Sequence, residues 1–441
     1  MLKKNIVNVW NGHGFPSSWR KGIINPIFKK GDDSIVNNYR GITLMNTEYK
    51  LYAMVLGERL RREVETILPD SQSGFRRGRS GMENIYLLNF LVDREIHRKG
   101  KLVAFFVDLR AAFDTLDREI LRETMEMEGI GKGLIQRVQE IYKETVNVVK
   151  TNEGATEKFW TKKGVRQGCP MSPTLFSLYV ADVEKFMSMG QTGGVVIGKE
   201  KIWSMAYADD MVLLAKSEWE MKEMIKRFEK YIKKKKMILN VEKSKIVVFK
   251  KGRRGKNKEE WIWDGAKIEE TSEFKYLGFT FIKNGHLMGH IKEITKRATV
   301  AMKKIWGIGE NIFKENYNRR MMMFDYLVKS IILYGVEIWG WKEYQEFEGL
   351  QERYLRWILR LDKTTPGYLV REETKRSKLR IEAGLRAYKF EEKIRKSNNK
   401  YILDCIAEID KTGNEEKGWG KTRRDYFRRL GWSTSEIKKN E

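Results

Sequence analysis

The stretch of sequence that decides the fold is IWSMAYADDMVLLA, residues 202–215. Two apolar arms flank a short polar centre, a pattern that predicts a β-hairpin. Asp209 and Asp210 occupy the predicted tip, where two neighbouring carboxylates repel each other. A divalent cation removes that repulsion, because Mg²⁺ prefers oxygen ligands and is often held by one or two carboxylates together with substrate phosphates. The alternative interpretation is an ordinary Asp-Asp turn.

A third acid strengthens the metal interpretation. The run LVAFFVDL, residues 102–109, is short and apolar, and it predicts a buried strand with Asp108 at its exit. Two strands would then present acids together, as two-metal phosphoryl transfer requires: one ion activates an attacking hydroxyl and the other binds the triphosphate. Asp114 and Asp117 follow closely, and we interpret both as acids at helix N-termini that complement the helix dipole.

Composition points to a polyanionic partner. The 441 residues include 86 Lys and Arg against 60 Asp and Glu, a formal net charge of +26. This balance excludes an acidic or neutral enzyme and favours nucleic acid, because each neutralised phosphate releases condensed counterions. The charge could serve solubility alone, but the basic residues are clustered. The clusters are Arg76-Arg77-Gly78-Arg79, Lys233 to Lys236, residues 250–254 and the tail from Arg423 to Lys439.

The apolar, cysteine and histidine content excludes several further classes of protein. Hydrophobic residues make up 41% of the chain, enough for a large core. The two cysteines, Cys169 and Cys405, exclude a disulfide scaffold and indicate a reducing compartment. His286 and His290 lie four apart, but no HExxH pattern or cysteine partner accompanies them, and we predict no zinc site. There is no long apolar run and no signal region, so we expect neither membrane insertion nor secretion.

Periodicity predicts an α+β body to about residue 285, followed by a helical, basic C-terminal portion. The predicted elements are a helix from Glu48 to Leu68, a helix from an N-cap at Ser172 to Met187, a helix with the buried face Met221, Met224, Ile225, Phe228, Tyr231 and Ile232, a strand from Ile246 to Lys250, an exposed basic turn from Lys251 to Lys258, a hairpin from Phe274 to Phe281, and a helix with the buried face Phe347, Leu350, Tyr354, Trp357, Ile358 and Leu361.

The order of these motifs resembles that of the reverse transcriptases, and of the non-LTR (LINE-type) retrotransposon branch in particular. The resemblance covers about residues 15 to 285 and extends to LYGVEIWGW further on. The motifs that carry it are, in chain order, WRKGIINPIFKKGD, NNYRGITL, LPDSQSGFRRGRSGMENI, FFVDLRAAFDTLD, GVRQGCPMSPTLFSLYVAD, MAYADD, LNVEKSK and FKYLGF. Several ordered motifs are far more specific than one.

The resemblance implies a right-hand polymerase fold with fingers, a palm built on an antiparallel sheet, and a helical thumb. The implied regions are residues 1–100 as fingers with an N-terminal helix, 101–285 as palm with interleaved fingers elements, 286–345 as thumb, and 346–441 as a helical basic C-terminal region. The implied activity is that of an RNA-directed DNA polymerase with Mg²⁺, or alternatively Mn²⁺, as cofactor. Its implied partners are an RNA template, a DNA primer or target, and dNTPs, with no membrane.

The resemblance also implies site residues. Asp108, Asp209 and Asp210 match the catalytic, metal-binding carboxylates. Phe113 matches the steric gate, whose ring would clash with a 2′-hydroxyl; the alternative is a core phenylalanine. Lys243 in LNVEKSK matches a lysine that donates a proton to pyrophosphate. The spacing of the motif also allows Lys245 in this role, and the alternative interpretation is an ordinary surface lysine.

Further matches concern the substrates. The nucleotide-binding matches are Arg166, Gln167 and Gly168 in the RQG loop, and Lys29 and Arg40 at positions that hold the triphosphate. The loop could be an ordinary one, and the two basic residues could belong to a solvated surface. Leu277 and Gly278 match the primer grip, while Tyr276 and Phe279 beside them are expected in the core.

The sequence departs from the family in two respects. We expect no endonuclease domain ahead of the fingers motifs, and the cysteines cannot supply a Cys/His knuckle. We therefore expect the polymerase portion of an element, with target nicking supplied by an endonuclease in trans. Residence in the nucleus is expected, or alternatively in a cytoplasmic ribonucleoprotein. The competing interpretations of function are a noncatalytic RNA-binding scaffold, maturase-like or chaperone-like, and an inactive relic of an element.

Overall fold

A computed structural model describes residues 2–252, 259–412, 418–429 and 431 of the chain. The predicted basic turn therefore lies outside the described residues between positions 253 and 258, as do position 430 and the tail after 431. Within the described part, no helix combines the length and apolar character needed to cross a lipid bilayer.

The first 285 residues mix helices and strands, as predicted. The helices are α1 (Leu2–Trp10), α2 (Ser17–Arg20), α3 (Thr47–Val64), α4 (Gly81–His97), α5 (Ala112–Thr115), α6 (Arg118–Met127), α7 (Lys132–Lys143), α8 (Ser172–Tyr179), α9 (Val183–Ser188) and α10 (Glu218–Lys234), with a 3₁₀ turn at Val36–Asn38. The strands are β1 (Lys21–Phe28), β2 (Tyr39–Met45), β3 (Lys101–Val107), β4 (Val146–Thr151), β5 (Gly154–Ala155), β6 (Phe159–Trp160), β7 (Val195–Ile197), β8 (Glu200–Ile202), β9 (Ser204–Tyr207), β10 (Asp210–Ala215), β11 (Lys245–Lys250), β12 (Trp261–Trp263), β13 (Ala266–Glu270), β14 (Glu273–Tyr276) and β15 (Phe279–Ile282).

The rest of the described chain is helical, which confirms the second half of the prediction. Its elements are α11 (Met288–Ile312), α12 (Tyr317–Met323), a π-helical segment (Phe324–Lys329), α13 (Ser330–Ile332), α14 (Val336–Trp339), α15 (Gln345–Ile358), α16 (Gly367–Glu373), α17 (Leu379–Arg395), α18 (Lys400–Thr412) and α19 (Gly418–Arg429). The helix α18 returns to the α+β body, where Glu408 forms an ion pair with Arg94 of α4 at 2.9 Å.

The central sheet has the strand order β12-β13-β11-β3-β10-β9. Strand β3 lies in its middle, antiparallel to β10 and β11, and is buried on both faces. Phe105 packs into a core shared with α8 and α10, whereas Phe106 packs into a second core shared with α4. This two-sided burial explains why the sequence of β3 is uninterruptedly apolar rather than alternating.

A second sheet has the order β2-β1-β4-β5, with β6 also paired to β4. Strands β1 and β2 form an antiparallel pair in which Ile27 lies opposite Arg40. At the end of the pair where the connecting loop begins, the backbone N–H of Lys29 donates to the carbonyl of Asn38 at 2.8 Å. Lys29 and Arg40 therefore lie close together at one end of this sheet.

Several local predictions are confirmed. The hairpin of residues 202–215 is present as β9 and β10, and FKYLGFTF forms β14 and β15. Residues 246–250 lie in β11, and the predicted apolar face of α10 is fully buried. Asp117 caps α6, since its carboxylate accepts from the backbone N–H groups of Glu119 and Ile120.

Other local predictions are wrong in detail. Ser172 is the first residue of α8 rather than its N-cap, because its hydroxyl donates to the carbonyl of Arg166 at 2.8 Å. The helix also ends at Tyr179, and α9 is separate. Leu361 lies beyond the end of α15 and is 41% exposed. The pair β12–β13 was missed, although Asp264-Gly265 between them is a strong two-residue hairpin signal.

Candidate active site

Three predicted acids meet at one end of the central sheet. Met211 of β10 pairs with Val107 of β3, so Asp210 and Asp108, the next residues outward, end up on facing strand ends. Asp209 lies beside them in the two-residue turn between β9 and β10, where Ala208 has a left-handed φ of 61°. The tertiary structure thus brings together carboxylates about a hundred positions apart in the chain.

The electrostatics of the three acids show mutual repulsion. The Asp210 side chain is exposed on one side, but the surrounding protein partly desolvates it and so raises its pKa. The negative charges of Asp209 and Asp108 raise the pKa further, to about 6. Desolvation likewise raises the pKa of Asp209, with a further increase from the charge of Asp108 and an opposing effect of Arg40. A group of carboxylates held at such a cost suits a cation.

The backbone of Asp108 is anchored by the LNVEKSK segment. Its N–H donates to the hydroxyl of Ser244 at 3.0 Å, and its carbonyl accepts from the N–H of Asn240 at 2.8 Å. Lys243 is carried by the same segment and is exposed, whereas Lys245 forms an ion pair with Glu269 at 3.0 Å. The spacing of the motif allowed either lysine as the proton donor, and the structure distinguishes them because only Lys245 is engaged in this ion pair.

A cavity of about 340 Å³ connects the acids with other predicted residues. It is lined by Asp108, Asp210 and Lys243 on one side and by Tyr276, Leu277 and Gly278 on the other, among others. The predicted proton donor and the predicted primer grip therefore open into the same space as two of the three carboxylates.

The Leu277-Gly278 turn is held by a distant tyrosine. Both residues are left-handed, with φ values of 47° and 83°, as a two-residue hairpin turn requires. The hydroxyl of Tyr334 donates to the carbonyl of Leu277, and a Cβ at position 278 would lie 2.8 Å from that hydroxyl oxygen. A side chain other than hydrogen at position 278 would thus displace Tyr334.

Phe113 and Gln167 of the RQG loop are both held by neighbouring side chains. The Phe113 ring stacks on the buried ring of Phe176, with centroids 4.8 Å apart. The side-chain amide of Gln167 donates to the Asp114 carboxylate at 2.7 Å, and the positive charge of Lys29 also acts on that carboxylate. Partial desolvation outweighs both effects and raises the pKa of Asp114. Asp114 lies in the first turn of α5, as an acid at a helix N-terminus should, and it also orients Gln167.

Gly168 and Arg166 have different surroundings. Gly168 has a φ of 104°, and a Cβ there would lie 3.0 Å from the carbonyl oxygen of Thr43, so the close approach to β2 requires glycine. Arg166 does not open toward the acids. It is buried, its guanidinium donates to the carbonyl oxygens of Trp19 and Arg20 at 3.0 and 2.5 Å, and it therefore holds the loop against α2.

Lys29 and Arg40 are exposed at the loop end of the β1–β2 pair. Neither has an ion-pair partner within the ranges that the structure describes. The positive charge of each opposes the rise in the pKa of one acid, Lys29 acting on Asp114 and Arg40 on Asp209. Two cations without an ion-pair partner in the described part of the chain therefore lie near Asp114 and Asp209, which suits an anionic substrate.

Sequence reasoning missed the residues that hold the acidic turn. The side-chain oxygen of Gln72 accepts from the backbone N–H of Gly74 at 3.0 Å and from that of Ala208 at 3.2 Å. Asn84 of α4 donates to the carbonyl of Ala206 at 3.1 Å and to the Tyr276 hydroxyl at 3.3 Å. Gln72 and Gly74 lie in the quoted motif LPDSQSGF, but only the tertiary contacts give them a role.

The residues present fit a Mg²⁺ ion completed by substrate. Among the described residues, no group of three or more acidic, histidine or cysteine side chains is placed to hold a metal ion by itself. Three protein ligands are not needed, because Mg²⁺ bound to phosphates commonly takes only one or two protein carboxylates. His290, by contrast, is a buried structural residue: its Nδ1 accepts from the N–H of Thr280 and its Nε2 donates to the carbonyl of Tyr334, each at 3.3 Å.

Comparison with known proteins gives the family of this chain. Residues 27–281 match the family model described as reverse transcriptase (RNA-dependent DNA polymerase). The chain belongs to the reverse transcriptase family. This match includes each predicted site residue from Lys29 to Gly278.

The relatives belong to non-LTR retrotransposons. The chain is 25% identical over 413 residues to the probable RNA-directed DNA polymerase from transposon BS of Drosophila melanogaster, with 88% of this chain and 42% of the relative covered. It is 30% identical over 202 residues to a 149 kDa protein of transposon TX1 of Xenopus laevis, with 45% and 15% covered. The chain thus spans less than half of the length of these relatives.

Among solved structures, the chain is similar to the telomerase of Candida albicans in complex with a fragment of telomeric RNA. The TM-score is 0.43 and the identity 13%, with 96% of this chain and 70% of the other covered.

Proposed function

We propose that the chain is an RNA-directed DNA polymerase of the non-LTR retrotransposon type, which adds dNTPs to a primer 3′-hydroxyl. The observation that carries the proposal is the cavity in which Asp108, Asp210 and Lys243 face the Leu277-Gly278 turn. Membership of the reverse transcriptase family supports it. The reaction joins the primer 3′ oxygen to the α-phosphorus of the nucleotide and releases pyrophosphate.

Asp108, Asp209 and Asp210 are the residues that would hold Mg²⁺, or Mn²⁺ in its place. When bound, the ions supply Lewis acid chemistry that lowers the pKa of the attacking hydroxyl and stabilises the leaving group. The chain itself contributes the fixed position of the carboxylates, which Ser244 and Gln72 support through the backbone. Lys243 donates a proton to the departing pyrophosphate.

The remaining site residues bind and select substrate. Lys29 and Arg40 bind the triphosphate, and their lack of ion-pair partners within the described residues supports this role. Gln167 and Gly168 contact the nucleotide, and Arg166 positions their loop through its bonds to Trp19 and Arg20.

Two further residue groups act on the sugar and the primer. Phe113 excludes a 2′-hydroxyl, a role that its stacking on Phe176 supports by limiting its movement. Leu277 and Gly278 support the primer end.

We assign the regions as the sequence predicts them. Residues 1–100 form fingers, 101–285 a palm with interleaved fingers elements, 286–345 a thumb, and 346–441 a basic C-terminal region. The strand β3 in the middle of an antiparallel arrangement supports the palm assignment. The partners proposed are an RNA template and a DNA primer or target. The basic clusters and a product that joins chromosomal DNA support residence in the nucleus.

The test is extension of a DNA primer on poly(rA) with dTTP and Mg²⁺. We expect the parent chain to extend the primer and Asp209→Asn to lose roughly two orders of magnitude or more in rate. Asp264→Asn is the matched control, because Asp264 lies in an exposed turn and asparagine tolerates its left-handed φ of 46°. Extension that survives Asp209→Asn would contradict the proposal.

The same experiment, together with an RNA-binding measurement, distinguishes the polymerase from the alternative of a noncatalytic RNA-binding scaffold. A noncatalytic RNA-binding protein would show no extension by any variant, with salt-sensitive RNA binding that Asp209→Asn leaves unchanged.

A further inference from the structure

Phe75 is an exposed aromatic residue in a strained backbone conformation. Its φ is 61°, in the left-handed region that bulky side chains rarely adopt. It is 45% exposed, while its neighbours Gly74 and Arg76 are buried. Both features oppose stability, and residues of this kind concentrate where function requires them.

The chain on both sides of Phe75 is held rigidly. On one side, the backbone of Gly74 packs so closely against the acidic turn that a Cβ there would lie 2.2 Å from the nitrogen of Ala208. On the other side, the Arg76 guanidinium donates to the carboxylate of Glu65 at 2.7 Å and to the carbonyl of Pro69 at 2.8 Å. Phe75 is therefore held between two anchors and cannot turn inward without breaking one of them.

The ring of Phe75 meets the ring of Phe113. The two rings lie edge to face, with centroids 6.4 Å apart and an interplanar angle of 89°. Phe113 makes its other ring contact with Phe176, which belongs to the core. Phe113 is therefore held by one aromatic ring from the core and by one from the exposed, strained segment.

We propose that Phe75 determines sugar specificity by fixing the position of Phe113, so that deoxyribonucleotides are accepted and ribonucleotides rejected. This inference rests on the proposed function. A hydroxyl adds little volume, so an apolar wall rejects it strongly only when the wall cannot move aside. Without Phe75, the Phe113 ring loses its aromatic contact on the exposed side and has room to yield to a 2′-hydroxyl.

The experiment compares dTTP with UTP as substrates on an oligo(dT)-primed poly(rA) template. We expect Phe75→Gly to reduce the ratio of the two kcat/KM values by about tenfold. Glycine accepts the left-handed φ, so relief of backbone strain offsets part of the lost ring contact and the Tm of this variant should stay close to that of the parent. Phe75→Tyr keeps the ring and should keep the ratio. Phe159→Ala, which removes an exposed phenylalanine 38% accessible on β6, is the matched control.

Three results would overturn the proposal. An unchanged ratio in Phe75→Gly, with an active parent, contradicts the specificity role alone. An equal fall of both kcat/KM values, together with a lower Tm, assigns Phe75 a structural role instead. Absence of dTTP incorporation by the parent overturns the proposed function and this inference with it.

Discussion

The hydroxyl of Tyr334 donates a hydrogen bond to the carbonyl oxygen of Leu277, which joins the helical part of the chain to the hairpin turn beside the carboxylates. The carbonyl of Tyr334 is itself held, since the Trp339 indole donates to it at 3.1 Å and His290 at 3.3 Å. The turn therefore depends on the packing of a segment more than fifty residues away.

Removing that hydroxyl should weaken binding of the primer. For Tyr334→Phe we expect KM for the primed template to rise about threefold to tenfold, the worth of one hydrogen bond, with KM for dTTP unchanged. Steady-state kinetics with each substrate varied in turn will measure both. Tyr326→Phe, at a tyrosine 71% exposed in the π-helical segment, should change neither value. Equal effects on the two KM values would contradict the positioning role.

The two lysines of LNVEKSK should differ in their effect on rate. Lys243→Gln should lower kcat roughly a hundredfold while KM for dTTP changes little, because a proton donor acts in the transition state. Lys245→Gln removes an ion pair with Glu269 and should leave kcat within a factor of about two. Pre-steady-state incorporation of one nucleotide will measure the chemical step. A larger loss in Lys245→Gln than in Lys243→Gln would reverse the assignment.

His290 should make stability depend on pH. Burial lowers its pKa from 6.5 to about 4, an effect that the Tyr334 carbonyl and Glu293 only partly offset. The unfolded chain binds the proton first, so stability is complete above pH 6.5 and falls as the pH decreases toward 4, by on the order of 3 kcal/mol. Denaturant unfolding at several pH values will measure this.

Two histidine variants test whether His290 causes this pH dependence. His290→Gln can keep both hydrogen bonds without titrating, so the pH dependence should flatten between 6.5 and 4. His286→Gln, at an exposed histidine, should leave the slope as it is in the parent. A slope that His290→Gln does not reduce would show that other groups cause the acid sensitivity.

Local pattern was sufficient for much of the fold. The apolar run around Phe105 predicted β3, and the polar centre at Asp209 predicted the hairpin, because a strand and a tight turn depend on residues within a few positions of each other. The predicted end of α8 and the predicted burial of Leu361 on α15 were wrong, since helix ends depend on what packs against them. The pair β12–β13 could have been found from Asp264-Gly265.

The site was predictable only in part. Asp108, Asp209 and Asp210 were identified from their strands, and the register between Val107 and Met211 then brought them together. Arg166 was identified as a substrate contact, but its guanidinium is engaged by backbone carbonyls, and no local pattern indicates which arginine will be buried.

The sequence by itself determined the α+β class, the acidic hairpin and the family motifs, because side-chain periodicity, turn chemistry and charge are properties of short segments. Only the tertiary structure decided that Lys243 rather than Lys245 opens toward the acids, that Gln72 supports Ala208, and that Tyr334 holds Leu277. These contacts join residues far apart in the chain, and they form only when separate helices and sheets pack against one another and satisfy their buried polar groups.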